Sequence, residues 1–238
     1  MRARIFALGL TGALASAGPL LAGAFSPPPG CTLNMTVQLH DCQVSNHFTC
    51  AGDPPGEQWI SYADGTGEFF VSRIDAETRW IESISRDRGE IDRLDIAGSA
   101  DNAAFSELLA KGRDDYDFVM RNNFGEAIRY IGHDQLTGER VTIDGVPLER
   151  CDFALRMEDE SGAQIATRHG TQYISRERRI FFGDTEVFEN AYGDRSTSFQ
   201  APVTFAFPGD EGFGETTPKF DCDMLMTGLS PLSAPSTF

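Results

Sequence analysis

Two histidines and two cysteines lie close together near the start of the chain, in the segments His40-Asp41-Cys42 and His47-Phe48-Thr49-Cys50. Imidazole and thiolate groups are the ligands that zinc and copper prefer, so His40 and His47 are candidate metal ligands. The spacing matches no standard zinc pattern, and an oxidising compartment favours disulfide formation by Cys42 and Cys50. The pattern therefore favours a disulfide flanked by surface histidines, and no cofactor is predicted.

Acidic residues occur in several clusters, and glycoside hydrolysis requires a pair of carboxylates. The clusters are Asp114-Asp115-Asp117, Glu158-Asp159-Glu160, Asp210-Glu211, and Asp221 with Asp223. This chemistry needs two carboxylates opposed across a cleft, and most acidic clusters are solvated surfaces. A hydrolase with a carboxylate pair is one hypothesis, and two buried carboxylates with raised pKa values in one cleft would favour it.

Other catalytic and metal-binding motifs are weak. The segment 64–68, Asp-Gly-Thr-Gly-Glu, has oxygen ligands for calcium but lacks the spacing of an EF-hand. The chain has neither a Gly-x-Ser-x-Gly nucleophile motif nor a His-Glu-x-x-His zinc motif. No catalytic residue is assigned, and a non-enzymatic role is favoured over an enzymatic one.

The chain has five cysteines, which allow at most two disulfides and leave one thiol unpaired. Cys151 and Cys222 each lie on the apolar face of a predicted strand, so they are predicted to pair first. A second bond is expected within Cys31, Cys42 and Cys50, and Cys42 and Cys50 are close enough in sequence to close a small loop. Which of these three stays unpaired is left open.

The N-terminus resembles an export signal. A positively charged start at 1–4 precedes an apolar stretch at 5–21, and Ala22-Gly23-Ala24 is a small-x-small cleavage site. Residues 1–24 are therefore predicted to be a signal peptide, which implies a periplasmic or secreted protein. No later segment has the length of apolar sequence that a membrane span needs, so no transmembrane segment is predicted in the mature chain.

The composition is strongly acidic, with 36 acidic and 20 basic residues and a formal net charge of −16. Such a charge repels nucleic acid and anionic lipid surfaces, so neither is expected as a partner. It favours solubility, is compatible with binding of cations, and would suit docking of a basic envelope protein.

Alternating apolar and polar residues indicate strands along most of the chain. Leu33, Met35 and Val37 alternate with polar neighbours, and turn signals such as Asp64-Gly65 and Asp144-Gly145 recur at short intervals. One helix is predicted near 102–111, with Asp101 as its N-cap and Gly112 at its end. The predicted fold is mostly β, a curved antiparallel meander (half-barrel or sandwich) with one short helix and disulfide bonds.

The predicted organisation has four parts: a signal peptide at 1–24, a Cys-containing segment at 25–56, an antiparallel β domain at 57–226 and a disordered tail at 227–238. A curved sheet encloses a concave face that a helix can line. The adjacent aromatics Phe181-Phe182 point to opposite faces of one strand, so a second layer, a ligand or a partner must cover one of them.

A motif in the second half resembles a set of uncharacterised exported proteins of alphaproteobacteria. It reads Gly170-x-x-Tyr173-Ile174-Ser175-x-x-x-Arg179-x-Phe181-Phe182-Gly183, then Pro202-Val203-x-Phe205-x-x-Pro208-Gly209-x-x-Gly212-Phe213 and Pro218-x-x-x-Cys222. The resemblance, over 125–222, implies an exported protein and carries over no functional residue. A looser likeness to periplasmic carriers of the LolA type is one of architecture alone.

These patterns favour an exported, non-enzymatic binding or carrier protein for an apolar ligand or an envelope component. The alternative is an envelope interaction or structural protein with an acidic docking surface. A hydrolase that uses a carboxylate pair is the third hypothesis.

Overall fold

The computed structural model describes residues 24–223. Except for Ala24, the predicted signal peptide lies outside these residues, and so does the predicted C-terminal tail. The described chain is mostly β, as predicted, with a single antiparallel sheet, one α-helix and two disulfides.

The sheet has 13 strands in the order β12-β11-β10-β9-β8-β7-β6-β5-β4-β3-β2-β1-β13. The strands are β1 Cys31–Leu39, β2 Gln43–Cys50, β3 Gln58–Asp64, β4 Gly67–Ile74, β5 Trp80–Ser85, β6 Glu90–Leu94, β7 Arg113–Asn122, β8 Ala127–Ile143, β9 Val146–Glu158, β10 Gln164–Ser175, β11 Ile180–Asn190, β12 Arg195–Phe199 and β13 Pro202–Ala206. The helix α1, Phe105–Lys111, lies between β6 and β7. The segment predicted as an N-terminal Cys-containing part contributes β1 and β2 to this same sheet.

The sheet curls upon itself. β12 and β13 form its two opposite edges, and only Gln200 and Ala201 connect them. Because a residue spans at most about 3.6 Å, these edges lie close together in space. The curl brings together side chains from both ends of the sheet in one hydrophobic core: Met35, Val37, Leu39, Ile60, Ile74, Val146, Leu148, Tyr173, Ile180, Phe182, Ala201 and Phe205. Phe182 contacts Phe205 edge-on, with ring centroids 5.4 Å apart.

Of the three alternatives for covering one of the adjacent aromatics Phe181 and Phe182, a second layer is present on the other face of β11. Phe181 contacts Phe105 of α1 with ring centroids 5.4 Å apart, whereas the neighbouring Phe182 lies in the main core. Leu108 of α1 packs in the same cluster as Phe181, together with Ile174. The helix therefore covers one face of the sheet, and both aromatic side chains are accommodated within the fold.

The helix is shorter at its start than predicted, and Asp101 is not its N-cap. Asp101 instead pairs through its backbone with Asp117 of β7, which holds residue 101 in extended conformation. The N-cap is Ala104, whose backbone N–H donates to the Asp114 carboxylate at 2.8 Å. The predicted end is confirmed, because Gly112 adopts φ 78° and donates its N–H to the Leu108 carbonyl.

Two strand predictions need correction, and one segment considered as a metal site is itself a strand. The segment 43–50, considered as a metal site, is strand β2. The sequence pattern predicts strands over Ala127–Ile131 and Arg140–Ile143 with a loop through Gly138 between them, but residues 127–143 form one continuous strand with an irregularity between Leu136 and Arg140. The alternation of Val203, Phe205 and Phe207 predicts one strand over 199–207, but this segment is divided between β12 and β13, which lie at opposite edges of the sheet.

The predicted pairing of Cys151 with Cys222 is wrong. Cys222 bonds to Cys42, and Cys151 is an unpaired thiol buried beneath α1. The segment before Cys222 returns to β1, where Gln38 contacts the backbone of Thr217 at 3.1 Å, and this places Cys222 beside the β1–β2 turn. Long-range packing of that segment, rather than the apolar face of a strand, therefore selects the partner of Cys222.

The expected bond within the three N-terminal cysteines is present as Cys31–Cys50. These two residues are direct cross-strand partners in the β1–β2 ladder. Cys42 and Cys50 therefore do not close the small loop that their proximity in sequence suggested.

Among residues 24–223, no helix has the length and apolarity needed to cross a membrane.

Candidate functional site

A cavity of about 160 Å³ lies between α1, the start of β5 and one face of strands β7–β12. Its apolar walls include Trp80, Phe118, Phe153, Leu155 and Phe181. A polar region within the same cavity contains Asp114, Asp134, Arg168, Gln172, Asp184 and Glu186. An apolar space with a few converging polar groups is the usual form of a small-molecule site.

Trp80 stands at the edge of the cavity. Its side chain is 41% exposed, and its ring meets the rings of Phe118 and Tyr130 edge-on, with both centroid distances 6.4 Å. Phe118 and Tyr130 are themselves stacked, with centroids 5.1 Å apart. This group of rings forms an ordered aromatic wall that is partly accessible from solvent.

Asp114 and Asp134 form a buried carboxylate pair. They are direct cross-strand partners in the β7–β8 ladder, and they are only 4% and 9% exposed. Cβ atoms of such partners are about 5 Å apart, so the charge of Asp114 acts on the carboxyl group of Asp134. Their position on neighbouring strands follows from the register of the hairpin.

Burial raises the pKa values of both carboxyl groups. The pKa of Asp114 rises to about 6, chiefly through desolvation, although the Ala104 N–H opposes the rise. Desolvation and then the charge of Asp114 raise the pKa of Asp134 to about 7, against the hydrogen bond that Gln172 donates at 2.7 Å. Near neutral pH the pair therefore holds a proton that carboxyl groups in water would release.

The arginines that line the cavity are paired with other acids. Arg168 makes a two-pronged ion pair with Glu186, with N–O distances of 2.9 and 2.7 Å. Arg79 donates to Asp75 at 2.6 Å. Within residues 24–223, neither Asp114 nor Asp134 forms an ion pair with a cationic side chain.

The candidate metal ligands His40 and His47 lie in separate environments. His40 is in the β1–β2 turn, 2.6 Å from the Asp221 carboxylate. His47 is buried on β2 and contacts the Ser45 hydroxyl at 2.9 Å, and desolvation followed by the charge of Arg178 lowers its pKa to about 3. The part of the chain that the structure describes brings no group of three or more His, Cys, Asp or Glu side chains together for a metal ion.

Of the acidic clusters singled out in the sequence, only the first places a side chain in the cavity, namely Asp114. Its neighbour Asp115 pairs with Arg113 on the opposite face of β7. In the calcium-like segment, the Asp64 carboxylate accepts hydrogen bonds from Thr66 and stabilises a turn. These carboxylates have structural partners within the protein.

The sequence reasoning did not identify Asp134, Gln172 and the aromatic wall as parts of one site. Asp134 lies in the segment interpreted as a loop, so its face could not be assigned. The signal that could have found Asp134 is the period-two alternation of β8, because Tyr130, four residues earlier, and Asp134 then face the same way as Asp114 across the hairpin.

Comparisons with protein-family models, curated proteins and solved structures found no match to this chain.

Proposed function

We propose that this protein is an exported, non-enzymatic binding or carrier protein that holds the apolar part of a small ligand. The observation that carries the proposal is the partly open cavity with aromatic walls between α1 and the sheet. A filled core would have left no room for a ligand. The helix here lines a space instead of closing it.

The size of the cavity restricts the ligand. An apolar cavity of about 150 Å³ binds a benzene molecule, and the cavity here measures about 160 Å³. The enclosed part of the ligand is therefore about the size of one aromatic ring or a short branched alkyl group. The rest of the ligand extends past Trp80 toward solvent.

Two observations support an extracytoplasmic location. Disulfides persist mainly in oxidising compartments, and this chain has two, one of which joins residues 180 positions apart. The predicted signal peptide assigns the same compartment independently.

The test is to fill the cavity without straining the backbone. Gly183 lines the cavity, and a Cβ added there meets its nearest neighbour, the Gln200 Cβ, at an ordinary 3.5 Å. We expect Gly183→Leu to abolish uptake of N-phenyl-1-naphthylamine, a neutral probe that fluoresces in apolar sites. The measurement is a fluorescence titration on the folded, oxidised protein.

Gly52→Leu is the matched control, because it adds the same atoms to an exposed turn where the new Cβ has no neighbour within 4 Å. It should bind the probe like the wild type. Equal uptake by wild type and Gly183→Leu, or no uptake by the wild type, would contradict the proposal. Native mass spectrometry of protein purified from the periplasm would identify a ligand acquired in the cell.

A hydrolase is the second candidate, and the buried Asp114–Asp134 pair with raised pKa values favours it. Two neighbouring carboxyl groups, one protonated and one ionised, can supply one acid and one base. However, the two lie side by side on one wall, whereas glycosidases place them on either side of the scissile bond. Turnover of nitrophenyl glycosides by the wild type that is lost in Asp134→Asn would establish this alternative.

A further inference from the structure

We propose that the ligand of this cavity is an organic cation, an ammonium group with apolar substituents, and that Asp114 and Asp134 are its counter-ion. This inference rests on the proposed binding function and adds the chemical class of the ligand. It depends on three features of the site: unpaired buried carboxylates, their fixed orientation and the aromatic wall.

The first feature is uncompensated negative charge. Buried carboxylates are normally paired with a cation or bound to a metal. Among residues 24–223, Asp114 and Asp134 have no such partner, although Arg168 and Arg79 line the same cavity. Both guanidinium groups are occupied, by Glu186 and Asp75 respectively, so the missing positive charge is not supplied by the described protein.

The second feature is preorganisation. One oxygen of Asp114 is held by the Ala104 N–H at 2.8 Å, and one oxygen of Asp134 is held by the Gln172 amide at 2.7 Å. The other oxygen of each carboxylate has no protein donor among the described residues. Two acceptor oxygens on adjacent strands are therefore available to a ligand without prior rearrangement of the side chains.

The third feature is the aromatic wall. Two rings of this wall, those of Trp80 and Phe118, line the same cavity as the two carboxylates, and the rings of Tyr116 and Phe153 line it beside them. Aromatic faces attract ammonium groups, and recognition of quaternary ammonium by aromatic cages combines this attraction with apolar contact. The overall charge of −16 attracts cations to the protein and repels anions.

The charge state of the pair couples binding to protons. A cation stabilises the ionised carboxylates, so binding releases a proton from the pair and the affinity falls with acidity. The other titratable or charged groups around the pair are Tyr116 on β7, Cys151 on β9, Arg168 on β10, Asp184 and Glu186 on β11, Arg79 before β5, Asp101, Glu107 on α1 and Asp115. Burial raises the pKa values of Tyr116 and Cys151, so both groups stay neutral where the carboxylates titrate.

The experiment compares two molecules of the same shape, phenyltrimethylammonium and tert-butylbenzene. Each competes with N-phenyl-1-naphthylamine for the wild-type protein at pH 8 and at pH 5. Because phenyltrimethylammonium has a permanent charge, any effect of pH on its affinity comes from the protein. We expect it to bind at least about tenfold more tightly than tert-butylbenzene at pH 8, and to lose about tenfold in affinity at pH 5.

Two variants assign the effect to the pair. One is Asp134→Asn, and the other combines Asp134→Asn with Asp114→Asn. Both should lose the preference for the cation and keep the affinity for tert-butylbenzene. Asp152→Asn is the control, because Asp152 is an exposed acid on the opposite face of β9 and its replacement removes the same charge. Circular dichroism and urea unfolding establish that each variant is folded.

The outcomes separate this inference from the proposed function. Equal or tighter binding of tert-butylbenzene by the wild type would refute the cationic ligand and leave the apolar carrier standing. If Asp152→Asn also lost the preference for the cation, that preference would come from the overall charge of the protein, and the proposed site would be overturned. Failure of both molecules and of the neutral probe to bind would overturn both proposals.

Discussion

At the scale of single residues, buried ionisable groups make stability depend on pH in two opposite ways. The raised pKa of Asp134 means that the native state binds more protons than the unfolded chain between about pH 4 and pH 7. Stability from this group is therefore lost as pH rises through that range. The pKa of His47 is lowered to about 3, so its contribution is present above about pH 6.5 and is lost as pH falls.

Asp134→Asn should therefore be more stable than the wild type at pH 8, by about 4 kcal/mol, because it removes the cost of burying an ionised carboxylate. Near pH 4 the two proteins should be about equally stable, since Asp134 is then protonated. Urea unfolding at both pH values measures the difference, and the His47 contribution cancels because both proteins contain it. A stability difference that does not change with pH would contradict the raised pKa.

At the scale of elements, the C-terminal segment is attached to the β1–β2 hairpin by polar contacts and by one disulfide. The Gln38 side chain contacts Thr217 and Lys219, and the Asn46 amide donates to the Glu215 carbonyl at 2.9 Å. The Cys42–Cys222 bond joins the same two regions across 180 positions. A bond that closes so long a loop removes much entropy from the unfolded chain.

Cys42→Ser and Cys222→Ser should each lower the free energy of unfolding by about 5 kcal/mol in the chain-entropy model, because they remove the same bond. The double variant should lose no more than either single variant. Cys151→Ala should cost about 1 kcal/mol, since it removes only a buried thiol. The measurement is urea unfolding of the oxidised proteins. If only Cys151→Ala and Cys222→Ser lowered the free energy of unfolding, and by equal amounts, the Cys151–Cys222 pairing predicted from the sequence would be restored.

At the scale of the whole molecule, the main core connects strands that are far apart in the sequence. Val37 of β1, Leu148 of β9 and Phe205 of β13 belong to one cluster around Phe182. Because the two edges of the sheet are joined by two residues, neither end can leave this core without disturbing the other. The described chain should therefore unfold as one cooperative unit.

Phe182→Ala should lower stability by about 4 kcal/mol through loss of burial and creation of a cavity. Trp59 on β3 and Trp80 on β5 report on separate parts of the sheet, and Trp59→Phe and Trp80→Phe backgrounds isolate the two fluorescence signals. Both signals should shift to the same lower urea concentration. Phe124→Ala is the control, because Phe124 is 62% exposed in the β7–β8 turn and its loss should have little effect. A shift of one signal alone would show that the two parts unfold independently.

Local features were predictable because they depend on neighbouring residues. Alternation at Leu33, Met35 and Val37 predicted β1, and Gly112 predicted the end of α1. The Asp144-Gly145 turn is also confirmed, with φ values of 46° and 78°, since few residues other than these types adopt positive φ at both positions. The mostly β fold followed from the repetition of such short-range signals.

The sequence by itself determined the β class, the turns and the number of possible disulfides. Only the tertiary structure decided which groups meet. Asp114 stood out within an acidic run, but its pairing with Asp134 depends on the β7–β8 register, and the partner of Cys222 depends on a segment that returns to β1. Periodicity assigns each side chain to a face of its own strand, whereas the site and the long disulfide arise from contacts between distant strands that no local pattern encodes.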